Sequence, residues 1–268
     1  MYRRLKVLKK TVILEKKNNI AIVTLNRPDN ANAINLDLVK DLYDAFKDCH
    51  HDDGIRAVVF TGSGSMFSGG GDLGSFLAES DNLGPFITDM TTYFHLAVTL
   101  MHRMEKPIIV ALNGTAAGGG LSLALSGDII ISSENAKFSA AYTAAGLSPD
   151  GSMTYIMPRL IGLKKTKELM ISNRRFTADE ALNMGIIDQV VKEEDLNTIA
   201  IEKAEELSKG ATKAFGAVKT LLADSFSSTL ESHLEQEARS LNIRAQGHDG
   251  KEGVKAFIEK RKPNFKGY

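Results

Sequence analysis

Short β-rich apolar runs alternate with helical stretches as far as residue 191, and from Leu196 strand signals vanish while helical periodicity continues almost to Lys262. Alternation of this kind predicts an α/β core, because each helix buries its apolar stripe on the sheet that its flanking strands build. The strand-free tail predicts a helical region, so the chain divides into a core of residues 1–195 and C-terminal helices over 196–268. Thr11–Lys16 and Ile20–Asn26 flank Lys17-Asn18-Asn19 and read as a hairpin. Asn35 is placed to cap a helix whose Leu38, Val39, Leu42, Tyr43 and Phe46 share one face. Ala57–Thr61, Ile108–Leu112 and Asp128–Ser132 read as strands, and a helix is expected from Phe86 to Met104, before Pro107. Asn113-Gly114 reads as a turn, Gly118–Leu125 as a glycine-led helix, and Thr177-Ala178-Asp179-Glu180 as a capping box.

Composition narrows the function classes. With 268 residues, 43% of them hydrophobic and 25% charged, the chain can bury a sizeable core and is not of the disordered or low-complexity kind. Lys+Arg and Asp+Glu each total 33, so zero net charge gives no electrostatic reason to expect nucleic acid or an anionic membrane as partner. Cys49 is the only cysteine, which excludes an internal disulfide and a cysteine-based zinc site. Apolar stretches such as Ile108–Leu112 are too short to span a bilayer. Arg3, Arg4, Lys6, Lys9 and Lys10 are followed by no apolar segment of signal-peptide type. A cytoplasmic protein with no membrane association is expected.

Two glycine runs carry the chemistry. Gly69-Gly70-Gly71-Asp72-Leu73-Gly74 satisfies G-x-G-x-x-G, yet Gly62–Ser68 separates it from the strand ending at Thr61, so a dinucleotide fingerprint is not expected. No phosphate-binding loop ending in Gly-Lys-Ser/Thr and no Gly-x-Ser-x-Gly elbow is present. Gly118-Gly119-Gly120 precedes an apolar helical stretch, which sets bare N–H groups at a helix N-terminus where negative charge is favoured. Two side-chain-free runs aimed at one point would make an oxyanion hole. Neither needs a charged residue, which suits an anion that develops during reaction.

Several segments together resemble the crotonase (enoyl-CoA hydratase/isomerase) superfamily. They are Asn26-Arg27-Pro28 with Asn32-Ala33-Ile34-Asn35, Phe67-Ser68-Gly69-Gly70-Gly71-Asp72-Leu73, Asn113 to Gly120, Phe176 to Ala181, and Glu252-Gly253-Val254 through Arg261. The match runs from about residue 11 to 265. The resemblance implies a spiral of ββα turns, a C-terminal helical region that packs in a trimer or a dimer of trimers, and an acyl-CoA thioester substrate. It implies that the N–H groups of Gly71 and Gly119 hold the thioester oxygen. Arg27, Ala31, Ala33, Gly69, Gly70, Asp72, Leu73 and Tyr142 are implied to border the substrate, and Lys260 to approach the CoA phosphates. No cofactor is implied beyond the CoA of the substrate itself, and no metal.

The carboxylates decide which reaction of the family to expect. The two that serve hydration in this family match Ser122 and Tyr142 here, and a hydroxyl is too weak a base near neutral pH to replace them. Between Thr115 and Gly151 the acids are Asp128, read as structural, Glu134, read as a solvated turn charge, and Asp150. Asp150 could be a simple turn or N-cap residue. Its segment Gly146-Leu147-Ser148-Pro149-Asp150 nevertheless resembles that of the family's isomerases, whose matching carboxylate moves the proton. Leu147, Met153 and Tyr155 predict a partly apolar setting for it. His95 beside Phe94 reads as ordinary packing. The family's aryl-CoA dehalogenases, however, carry His and Asp at the positions of His95 and Asp150, and Trp where this chain has Tyr142. His50 and His51 read as surface residues. The leading expectation is an acyl-CoA isomerase acting on a 3-enoyl or epoxyphenylacetyl-type thioester. The alternatives are a dehalogenase-like hydrolase using Asp150 and His95, an enoyl-CoA hydratase, and a non-catalytic acyl-CoA- or RNA-binding protein, the last resting on Lys260-Arg261-Lys262.

Overall fold

The computed structural model describes residues 10–268, so Arg3, Arg4, Lys6 and Lys9 lie outside the described residues. The expected hairpin is β1 (Val12–Lys17) paired antiparallel with β2 (Ile20–Leu25), its turn made by Asn18 in the left-handed region. Asn35 caps α1 (Leu36–His51) by accepting the Leu38 N–H, and the face carrying Leu38, Val39, Leu42 and Phe46 is buried.

Three ββα turns follow. Each sends one strand to a large sheet and the next to a small one. The first has β3 (Ala57–Gly62), β4 (Met66–Ser68), then α2 (Leu73–Ala78) and α3 (Leu83–Arg103). The second has β5 (Ile108–Leu112), β6 (Thr115–Ala117) and α4 (Gly119–Ala124). The third has β7 (Ile129–Ser133), β8 (Lys137–Ser139) and α5 (Met153–Ser172), which is broken at Gly162. Next come β9 (Phe176–Thr177), α6 (Ala178–Met184), opened by the expected capping box at Thr177, and β10 (Gln189–Val191).

The large sheet has the order β1-β2-β3-β5-β7-β10 and is parallel from β2 onward; the small one is β4-β6-β8-β9, parallel through β8. Parallel strands are covered on both faces, and alternation divides their side chains between two cores. Val58, Phe60, Ile108 and Val110 face the core shared with α1 and α3. Ala57, Val59, Ile109 and Ala111 face Leu196, Ala200 and Ala204 of α7 (Leu196–Leu207). The first helix of the expected C-terminal region is thus the outer layer of the large sheet, and the division after residue 195 does not separate it from the core. The remaining helices are α8 (Thr212–Ser225), α9 (Leu230–Gln246) and α10 (His248–Ile258). No helix among the described residues is long and apolar enough to cross a membrane.

The small sheet was not legible from sequence, and it corrects the expectation that Gly62–Ser68 parts the first glycine run from any strand. A strand, β4, does stand directly before the first glycine run, and α2 directly after it. β4 is pinned by Phe67, fully buried and edge-on to Phe60 at 5.2 Å, which is itself edge-on to Phe46 at 5.4 Å. Burying one such ring contributes about 1.5–3 kcal/mol, so the start of the glycine loop is tied to the core.

Candidate active site

The pairing β4–β6 builds the centre of the site. These neighbouring parallel strands run directly into Gly69–Gly71 and Gly118–Gly120, so both glycine runs leave the small sheet at the same end. They touch: Gly70 has φ +93°, and a Cβ on it would lie 2.7 Å from the Ala117 carbonyl oxygen. Only glycine fits there.

Hydrogen bonding then narrows the donors of the two runs. Gly69 N–H donates to the Ala31 carbonyl at 2.8 Å, Gly70 N–H to Ser68 Oγ at 3.3 Å, Asp72 N–H to the Ile34 carbonyl at 2.9 Å and Gly118 N–H to the Ser139 carbonyl at 3.1 Å. The N–H groups of Gly71, Gly119 and Gly120 have no acceptor among the described residues, and of these Gly71 and Gly119 line the cavity described next. Gly119 is the first residue of α4, where a helix leaves its donors free.

Both glycines line an apolar cavity of about 130 Å³, together with Ile34, Phe76, Met90, Phe94 and Leu147. Gly69, Gly70, Leu73 and Tyr142 also line it, as the sequence predicts, and Asp150 is its one ionisable carboxylate. Asp150 precedes Gly151, whose φ is +60° and whose added Cβ would lie 2.5 Å from the Phe94 ring and 2.9 Å from Ser122 Cβ. The backbone here presses against α3 and α4, which fixes where the carboxylate emerges. His95, which the sequence offers either as packing or as a partner of Asp150, reaches the site: its Nε2 is 2.5 Å from Asp150 Oδ1, with 56% of the imidazole side chain and 30% of the carboxylate exposed.

Ser122 and Tyr142 carry no charge into the cavity. Ser122 Oγ donates to the Asp150 carbonyl at 2.7 Å, Tyr142 Oη lies 3.1 Å from the same oxygen, and the hydroxyls are 3.0 Å apart. Burial pushes the Tyr142 phenol up to about 12, so it stays a neutral donor.

The other predicted residues divide. Arg27 and Asp72, expected to border substrate, are spent on each other at 2.8 Å, and Arg27 also donates to the Ala33 carbonyl, so the pair braces the loop instead of lining the cavity. Burial alone would raise the Asp72 carboxyl, but the Ser75 N–H and Arg27 outweigh it and hold it low. Ala31, with φ 53°, contributes its carbonyl to Gly69. Lys260 is exposed just beyond α10 and is not among the cavity residues. Beside it Arg261 is paired bidentately with Glu252 at 2.6 and 2.9 Å and with Glu259 at 2.7 Å, which removes one cation from the expected basic run. Of the expected neighbours of Asp150, Leu147 lines the cavity, Met153 is buried in the core, and Tyr155 turns to a separate cavity. Asp128 is structural, accepting the Ile108 N–H and Lys219 at 2.8 Å each, and Glu134 is exposed. Among the described residues no cluster of three His, Cys, Asp or Glu could hold a metal ion. The sequence reading missed Phe76, Met90 and Phe94 as cavity walls, because their helical spacing is the same as that of core residues.

The enoyl-CoA hydratase/isomerase family model matches residues 15–268. The chain belongs to that family. Among its relatives, a probable enoyl-CoA hydratase of Rhodobacter capsulatus is 35% identical over 96% of this chain and 98% of its own. The 1,2-epoxyphenylacetyl-CoA isomerase of Escherichia coli is 32% identical over the same shares. 4-Chlorobenzoyl coenzyme A dehalogenase-2 of an Arthrobacter species is 31% identical over 88% of this chain and 86% of its own. A crystal structure of an enoyl-CoA hydratase from Polaromonas superposes with a TM-score of 0.90 at 28% identity, covering 95% of this chain and 99% of that one. The family membership and the crotonase fold of two-sheet ββα turns therefore agree with the sequence expectation. The protein is an enzyme of the enoyl-CoA hydratase/isomerase family.

Proposed function

We propose that this family member is an acyl-CoA isomerase that moves a 3,4 double bond to the 2,3 position. The observation that carries the reading is Asp150, the one carboxylate lining the cavity that Gly71 and Gly119 also line. The thioester oxygen accepts the two free N–H groups, Asp150 removes a proton from C2, and the negative charge moves onto that oxygen as an enolate. The same carboxyl group returns the proton to C4, which leaves the 2,3 double bond conjugated with the thioester. One carboxylate suffices because C2 and C4 are separated by a single allylic carbon. His95 holds the carboxylate through its Nε2 contact. Beyond the CoA of the thioester, the reaction requires no cofactor.

The positions of Ser122 and Tyr142 support isomerisation over hydration, since neither supplies a base for water. Cavity size supports a compact acyl group: an apolar cavity of about 150 Å³ holds a benzene ring, and this one measures about 130 Å³. A short unsaturated chain or one ring, as in an epoxyphenylacetyl thioester, fits.

The His95–Asp150 contact favours a second reading. In it Asp150 attacks an aryl ring carbon, halide leaves, and His95 activates the water that hydrolyses the aryl ester. The test is to offer 3-enoyl-CoA, 2-enoyl-CoA and 4-chlorobenzoyl-CoA separately. Isomerisation without mass change supports the first reading, halide release the second, and rapid addition of water to 2-enoyl-CoA overturns both.

A further inference from the structure

We infer that Ser122 and Tyr142 are positioning residues for Asp150, acting through its main-chain carbonyl. The inference rests on the reading of Asp150 as the proton-transfer group. Ser122 stands on α4, one helical turn after the free Gly119 N–H, and Tyr142 follows β8. Their hydroxyls and the Asp150 carbonyl oxygen form a triangle with edges of 2.7, 3.0 and 3.1 Å. Two hydroxyl protons serve three edges. Ser122, at the shorter distance, gives its proton to the carbonyl, and the Tyr142 proton lies between that oxygen and Ser122 Oγ.

The clamp is buried and has little freedom. Ser122 is 0% exposed, and its Cβ faces the left-handed Gly151 immediately after Asp150. With the carbonyl held on one side and Phe94 against Gly151 on the other, the Asp150 Cα is located relative to α4, the helix that also carries the Gly119 donor. One short helix thus sets the distance between the oxyanion donor and the proton carrier. A displacement of about 1 Å at a reacting group costs up to roughly 100-fold in rate, so such a fixture bears directly on turnover.

The test compares Ser122→Ala, Tyr142→Phe and the double variant, each in the wild-type and Asp150→Asn backgrounds, with 3-enoyl-CoA as substrate. Thermal unfolding and elution volume report that each variant is folded. The expected result is a fall in kcat of roughly 10- to 100-fold for the double variant with KM changed less than about twofold, the split that misplacement of a reacting group produces. In the Asp150→Asn background the same two substitutions should lower the residual rate by less than about twofold, far less than in the wild-type background, because a clamp has nothing left to position. A folded double variant with wild-type kcat overturns the clamp while leaving Asp150 in its role. A loss of the same size in the Asp150→Asn background also overturns it, by showing that the hydroxyls act on substrate independently of Asp150. An Asp150→Asn protein that turns over at the wild-type rate removes the proton carrier itself, and the clamp with it.

Discussion

His95 Nε2 lies 2.5 Å from Asp150 Oδ1, which joins the middle of α3 to the loop before α5 across 55 residues of sequence. The contact orients the one carboxylate of the cavity, and the two residues should respond differently to substitution. Asp150→Asn should cut double-bond migration to a small residual rate while binding of the CoA thioester is kept, since shape is preserved. His95→Asn should lower kcat by roughly 10- to 100-fold, the worth of about 1.5–3 kcal/mol for a hydrogen bond to a charged group. Steady-state kinetics with 3-enoyl-CoA, alongside equilibrium binding of a non-reactive acyl-CoA, check both. Isomerisation by Asp150→Asn at more than a tenth of the wild-type rate would contradict the assignment.

The unspent N–H groups of Gly71 and Gly119 predict a transition-state effect. Gly119→Pro removes one donor at the first position of α4, where proline is tolerated by a helix. Losing such a donor costs roughly 10²–10³ in kcat, about 2.7–4 kcal/mol. CoA affinity and circular dichroism should stay near wild type, and unchanged turnover would mean that the glycines serve only the turn.

His102 predicts an acid sensitivity that has nothing to do with turnover. Burial, reinforced by Lys219 and Arg103, lowers its imidazole from 6.5 to about 4. Between those values the unfolded chain binds a proton that the folded chain refuses. The contribution to stability is therefore complete above pH 6.5 and is lost as pH falls toward 4, by up to roughly 3 kcal/mol. His102→Gln should flatten the dependence of Tm on pH in that window. Asp128 lines the same cavity and burial raises its carboxyl, so the informative quantity is the difference between the two proteins' slopes. Parallel slopes would place the acid sensitivity elsewhere.

The C-terminal helices predict self-association. α9 has no buried residue in its 17 positions, and Leu222, Phe226, Leu230, Leu234 and Leu241 are each more than half exposed, from 53% to 71%. Apolar faces of this extent are rarely left to solvent, and closed symmetry among identical chains is the usual way to cover them. Light scattering should give a trimer or a dimer of trimers. Leu234→Glu with Leu241→Glu should shift it to smaller species, and a monodisperse wild-type monomer would contradict the prediction.

Elements whose signal is local are legible in the amino-acid sequence. β3, β5 and β7 show as apolar runs, α1 announces itself through Asn35 and one apolar face, α6 through its capping box, and the two donors through glycine runs that leave N–H groups bare. Motif order carried the family. The tertiary structure alone decided the rest. β4, β6 and β8 are three residues each, too short to display a period of two, so the small sheet that brings the glycine runs together left no trace in the pattern. Helical periodicity says that α7 buries one face, but not that the face lies on β3 and β5 instead of on other tail helices. The use of Ser122 and Tyr142 was equally hidden, since each reaches Asp150 from a different element at separations of 28 and 8 residues, whereas the pairing of His95 with Asp150 entered only through the family resemblance. Periodicity reports that a side chain is buried or turned to solvent; only the packed chain specifies what it meets there.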